Sequence, residues 1–176
     1  MAFFRSSRPH ALDAAPGSGD IMAGLTRIRH VKLPVSDLAR SVAWYCDLLD
    51  LRLAGEFREE GELRGAQLMH PSGFGIALRE REYCAGTPDF GGFDVFALEV
   101  ESVDDLHAFA ARADELDATR GEVFDRGEYG AALDLVDPDD TVVRLLANNP
   151  FDATRFLGVD IDGKGGFSVY DTPTLG

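Results

Sequence analysis

The chain has 176 residues, and its 31 Asp+Glu against 17 Lys+Arg give a formal net charge of −14. That field repels phosphate backbones and excludes a nucleic-acid-binding role. A 45% hydrophobic share with 12 Phe is ample for a packed core and excludes disorder over most of the length.

Residues 1–26 read as a flexible leader punctuated by Pro9, Pro16, Gly17, Ser18 and Gly19. No continuous apolar core makes it a signal peptide, and no run anywhere approaches the roughly 18 apolar residues of a membrane span. Cys46 and Cys84, the two cysteines, lack C-x-x-C spacing and are too few for a disulfide framework. A reducing, cytoplasmic setting without membrane contact is expected.

Arg29–Val35 reads as a strand, and Ser36 and Asp37 supply oxygens to cap a helix start. Leu38, Val42, Tyr45 and Leu49 then form one apolar helical stripe. Three short strands follow, around 51–57, 63–70 and 74–80, the last two joined by the turn His70-Pro-Ser-Gly73. This makes a first βαβββ module over residues 27–80. A linker at 81–92 contains Gly86, Pro88, Gly91 and Gly92.

The order then repeats over residues 93–147. A strand at 95–100 precedes a helix at 103–116 with Leu106, Phe109, Ala110, Ala113 and Leu116 on one face. A weak strand near 122–125 and a hairpin, 131–136 with 141–147, complete it. The hairpin turn Asp137-Pro-Asp-Asp140 matches His70-Pro-Ser-Gly73 in its proline and in apolar phase, and His30–Val35 lies over Val95–Val100. A period of about 65 residues with one helix each fits a duplicated module rather than a solenoid. Residues 148–176 form an extension whose Phe151, Phe156, Leu157, Phe167, Val169 and Tyr170 are too apolar for a free tail, so docking on the body or on a second subunit is expected. Within it Asp160-Ile-Asp-Gly-Lys-Gly165 imitates a calcium loop, but Lys164 occupies a ligand position, and a glycine turn is the plainer reading.

The stretch His-Val-Lys-Leu-Pro-Val-Ser-Asp-Leu-Ala-Arg-Ser-Val-Ala-Trp-Tyr-Cys-Asp-Leu-Leu-Asp-Leu51, with the later Asp137-Pro-Asp-Asp140 turn, resembles the vicinal oxygen chelate group. That group includes glyoxalase I, extradiol dioxygenases, fosfomycin-resistance enzymes and bleomycin-resistance proteins. The resemblance covers roughly residues 27–147. It implies an α+β fold in which two tandem βαβββ modules form a cupped mixed sheet that holds a ligand. Asp50 departs from the family's usual Gly at that turn.

In metal-dependent members four strand positions converge on a divalent ion. By the resemblance these are His30, Ala77, Val95 and Arg144, of which only His30 is a ligand type, so no usual metal site and no metal cofactor are expected. A one-residue slip would bring Asp94 to the place of Val95, but strand neighbours face opposite ways and a bulge is needed. What remains is a cup lined by His30, Gln67, Ala77, Val95, Asp134 and Arg144. An inward Arg144 suits a carboxylate, enolate or phosphate, and His30 suits proton transfer. The structural alternatives are an ion pair of Arg144 with Asp134 or Glu99 and a hydrogen-bonded strand histidine. Trp44, Tyr45 and the aromatic group Tyr83, Phe90, Phe93 and Phe96 read as packing.

Two function classes follow from the resemblance. One is a metal-independent binding protein of the bleomycin-resistance type, holding an organic molecule or antibiotic, with the net acidity favouring a cationic or amphipathic ligand. The other is an enzyme: an isomerase, lyase or cyclase using His30 and Arg144 as catalytic groups, or a metal-dependent lyase or dioxygenase with relocated ligands. A homodimer is the expected assembly.

Overall fold

The computed structural model describes residues 27–149, 158–161, 167–170 and 172. Strand β1 (Val31–Val35) leads into helix α1 (Leu38–Leu49), then β2 (Arg52–Glu59), β3 (Glu62–Met69) and β4 (Gly75–Glu80). The second module repeats this as β5 (Asp94–Glu99), α2 (Val103–Glu115), β6 (Phe124–Asp125), β7 (Ala131–Val136) and β8 (Val142–Ala147). A hairpin of β9 (Gly158–Ile161) and β10 (Phe167–Tyr170) follows.

Each module forms its own four-stranded mixed sheet, in the orders β1-β4-β3-β2 and β5-β8-β7-β6. In both, the first and last strands of the module pair in parallel and the remaining pairs are antiparallel. The architecture is thus α+β with two βαβββ modules, as expected. The described strands of the two modules make two sheets without hydrogen-bonded pairing between them, and β9 and β10 make a third.

Helix starts follow from local chemistry. Asp37 accepts from the Arg40 amide at 3.0 Å, satisfying one free donor of α1. Ser102 does the same for α2 through Asp105 at 3.2 Å and donates its hydroxyl to the Asp105 carboxylate at 2.7 Å. Asp104 and Asp105 in the first turn also suit the positive end of the helix dipole. At the end of α1, Asp50 adopts a left-handed conformation, φ 54° and ψ 33°. Glycine reaches that region without steric cost, which accounts for the family's preference there.

Strand alternation sends Leu33, Val35, Leu68, Ile76 and Leu78 to the α1 side, and Leu133, Leu135, Val143 and Leu145 to the α2 side. Each helix packs on the last two strands of its own sheet, the helices touch each other, and one core unites the two modules. Every fully buried Leu in it contributes about 2 kcal/mol.

The modules are also latched by a polar seam. Tyr45 of α1 donates to Asp137 Oδ2 at 2.9 Å in a buried contact, and Asp137 Oδ1 accepts the amides of Asp139 (2.9 Å) and Thr141 (2.8 Å). Asp139 in turn accepts from the Ser36 amide (2.9 Å) and from Arg81 (2.9 Å). Arg40 reaches the Pro138 carbonyl at 2.6 Å. The Asp137–Asp140 turn is therefore the point where module two grips module one. Ser36, expected as a cap, instead serves this grip through its backbone.

The leader, the tail residues Phe151, Phe156 and Leu157, and most of the calcium-like loop lie outside the described residues.

Candidate functional site

The sheet face turned away from α1 carries the polar groups of module one. Lys32, Ala77, Gln67 and Gly55 are register partners in one row across β1, β4, β3 and β2, and Pro34, Arg79, Gly65 and Phe57 form the next row. His30 stands just before β1, two residues from Lys32 and on the same side by alternation. All of these but Pro34 line a hollow of about 240 Å³.

Its floor is low because Gly55, Gly65 and Ala77 have little or no side chain there. At Gly65 a Cβ would come within 2.7 Å of the Leu78 carbonyl, so close strand packing demands glycine. At Gly75 a Cβ would meet Gln67 Nε2 and Met69 Sδ, each at 2.8 Å, the far ends of flexible side chains that can shift. Gly55 is different, for a Cβ there would meet only Gln67 Cβ at 4.0 Å. The space above Gly55 is open rather than filled by packing.

The polar walls are held to different degrees. Arg79 is committed: it pairs with Glu59 at 2.7 Å, donates to the Tyr83 carbonyl at 3.1 Å and lies 5.0 Å over the Phe57 ring. The Gln67 amide donates to the Leu68 carbonyl at 3.2 Å. His30 Nδ1 is sealed from solvent with no hydrogen-bond partner among the described residues. Lys32 is exposed.

The expected partners from module two are placed elsewhere. None of Val95, Asp134 and Arg144 lines this hollow, whereas His30, Gln67 and Ala77 all do. Arg144 is held between two carboxylates, bonded twice to Asp134 at 2.7 and 2.9 Å and once to Asp94 at 2.6 Å. The Asp134 bonds hold its guanidinium above its ordinary pKa. Glu99, the other partner weighed from sequence, is not involved. Asp94 arrives through a register shift between Asp94 and Phe96, a bulge at Val95. The slip that sequence reasoning required is thus present, and the carboxylate it delivers is spent on Arg144.

The chain's match to a known family extends this picture. Residues 27–145 match the model of the Glyoxalase/Bleomycin resistance protein/Dioxygenase superfamily. The chain belongs to this superfamily. A glyoxylase/bleomycin resistance protein/dioxygenase domain from Frankia sp. EAN1pec is 26% identical, with a TM-score of 0.60 over 72% of this chain and 94% of that one. TnmS3, an antibiotic binding protein from Streptomyces sp. CB03234, is 19% identical, with a TM-score of 0.60 over 73% of this chain and all of that one. The fosfomycin resistance protein FosX from Listeria monocytogenes shares the fold at 15% identity, with a TM-score of 0.58 over 73% of this chain and 94% of that one. No curated protein matches by sequence.

For the divalent ion that metal-dependent superfamily members carry, the donor chemistry here does not fit. The four positions that the resemblance assigns to the metal, His30, Ala77, Val95 and Arg144, offer one imidazole, a methyl group, an isopropyl group and a guanidinium already neutralised by two acids. Among the described residues no three His, Cys, Asp or Glu side chains are grouped to hold a metal. Among the described residues no helix is long and apolar enough to cross a membrane.

Lys32 and the Asp137 seam are the site and core features least marked in the sequence. The period-2 pattern already put Lys32 on the face of His30. A buried helical Tyr whose hydroxyl needs a partner was the signal for the seam.

Proposed function

We propose that the chain is a small-molecule-binding protein that holds an organic ligand on the open face of its first sheet, without a metal ion and without converting the ligand; the structurally similar TnmS3 is an antibiotic binding protein. The observation that carries this reading is the hollow over Gly55, Gly65 and Ala77, walled by His30, Lys32, Gln67 and Phe57. An apolar concavity with a few convergent polar groups is the common form of a ligand site. The catalytic pair that the sequence suggests, His30 with Arg144, needs a free guanidinium beside His30. Here Arg144 is neutralised by Asp94 and Asp134.

The unpaired cysteines Cys46 and Cys84 suit a cytoplasmic site of action. Phe57, Phe93 and Phe124 are 49%, 59% and 41% exposed, and a second copy of the chain in a symmetric dimer would cover such apolar surface. The unpartnered His30 Nδ1 favours one competing reading, an enzyme in which His30 moves a proton.

A ligand-observed NMR screen of aromatic and polyketide-like compounds against EDTA-dialysed protein, followed by mass analysis of each bound compound, separates these readings. Binding that survives EDTA, with the compound recovered unchanged, supports the proposal. Binding only after a divalent ion is restored, or conversion abolished by His30→Ala, contradicts it.

A further inference from the structure

Two of the charged side chains that line the hollow are compensated and Lys32 is not. Arg79 has Glu59 at 2.7 Å, and Glu56 has Arg58 at 3.4 Å. Lys32 has no counter-ion among the described residues, although it lines the hollow. It also lines an adjoining hollow of about 300 Å³ whose surface includes Pro34, Pro88 and Phe90. Lys32 therefore borders two partly apolar concavities, with the unsatisfied His30 Nδ1 two residues away on the same face.

We infer that Lys32 selects a ligand with an anionic oxygen group, a carboxylate or an equivalent oxyanion borne on an apolar, planar body. This rests on the hollow being the ligand site and adds the charge of what enters it. A molecule that fills the hollow lies against Lys32 and displaces part of the water around it. A neutral or cationic ligand gains nothing from that charge, or is repelled by it, whereas an anion pairs with it. The pairing is a charge-assisted hydrogen bond, stronger than its neutral counterpart. The apolar body then lies over Gly55 and Ala77 or along Pro34 and Phe90.

The conclusion reverses what net charge alone implies. A formal charge of −14 acts at long range on the rate of encounter, while the contact at Lys32 sets which bound ligand is tolerated.

The test is calorimetric titration of the full chain with 2-naphthoate, 2-naphthamide and 2-naphthylmethylamine, for wild type, Lys32→Gln and Lys32→Arg. Wild type is expected to bind the carboxylate about ten- to a hundredfold more tightly than the amide, with the amine weakest. Lys32→Gln abolishes that preference, and Lys32→Arg restores most of it. Equal affinities in wild type, a preference for the amide or the amine, or a preference that survives Lys32→Gln each overturns the inference while leaving the hollow as the binding site. Binding of none of the three by wild type overturns the reading of the hollow as a ligand site, and the inference with it. The comparison within wild type decides the question even if Lys32→Gln fails to fold.

Discussion

Replacing Tyr45 by Phe removes one oxygen from the seam between the modules and leaves the ring in place. The lost contact is the 2.9 Å hydrogen bond to Asp137 Oδ2, with both groups buried. A buried hydrogen bond to a carboxylate is worth about 1.5–3 kcal/mol. For a chain of this size that lowers Tm by roughly 3–12 °C. Asp137→Ala does more, because three donors then lose their acceptor: the Tyr45 hydroxyl and the amides of Asp139 and Thr141. Its cost is about 3 kcal/mol or more, at roughly 1–3 kcal/mol for each stranded donor. Tyr83→Phe, at a position 40% exposed, is the control and changes stability by less than about 0.5 kcal/mol. Urea unfolding followed by circular dichroism measures all three. If Tyr45→Phe matches the control, or if Asp137→Ala costs no more than Tyr45→Phe, the seam does not join the modules as described.

The same seam sets a pH dependence. Burial pushes the Asp137 carboxyl above its ordinary value, against the lowering effect of the hydrogen bonds it accepts. The folded state then holds that proton more tightly than the unfolded state, so the residue's contribution is fully present below the unfolded pKa and is lost as pH rises through the raised folded value. Wild type should therefore lose stability relative to Asp137→Asn across that window, in chemical denaturation at a series of pH values. Arg144→Ala leaves Asp94 and Asp134 facing each other. Since these groups are about a third exposed, solvent moderates the effect to about 1 kcal/mol. Its thermal shift should exceed its effect on ligand affinity, and the opposite order would return Arg144 to the binding site. Asp50→Gly relieves the left-handed residue at the end of α1 and should raise stability by about 0.5 kcal/mol in the same urea assay.

Much of this architecture is legible in the sequence because it rests on short-range physics. The stripe Leu38, Val42, Tyr45 and Leu49 marks α1, Asp37 and Ser102 mark the helix starts, and the paired prolines at 71 and 138 mark equivalent hairpin turns. The Arg144–Asp134 pair also follows from alternation, since both side chains leave the same face of neighbouring strands at matched register. Three features depend on arrangements that no local pattern encodes. Asp137 and Asp139 read as turn formers because their partners, Tyr45, Ser36 and Arg81, are distant in sequence. The bulge at Val95 puts Asp94 beside Arg144, and a register shift has no single-residue signature. Lys32 stands out only once every neighbouring charge has been paired in space. Whether His30 and Arg144 share one cup depends on how the two sheets meet, a long-range property on which alternation within either module is silent.

Gly55 allows the most direct test of the ligand site, since a side chain there enters the hollow without displacing anything nearer than Gln67 Cβ at 4.0 Å. The measurement is the affinity of EDTA-dialysed wild type and Gly55→Leu for the tightest compound from the NMR screen, with Tm recorded for both proteins. Loss of binding by at least about tenfold, or 1.4 kcal/mol, with Tm unchanged is the predicted result. Undiminished binding by a folded Gly55→Leu protein would contradict it and place the ligand elsewhere.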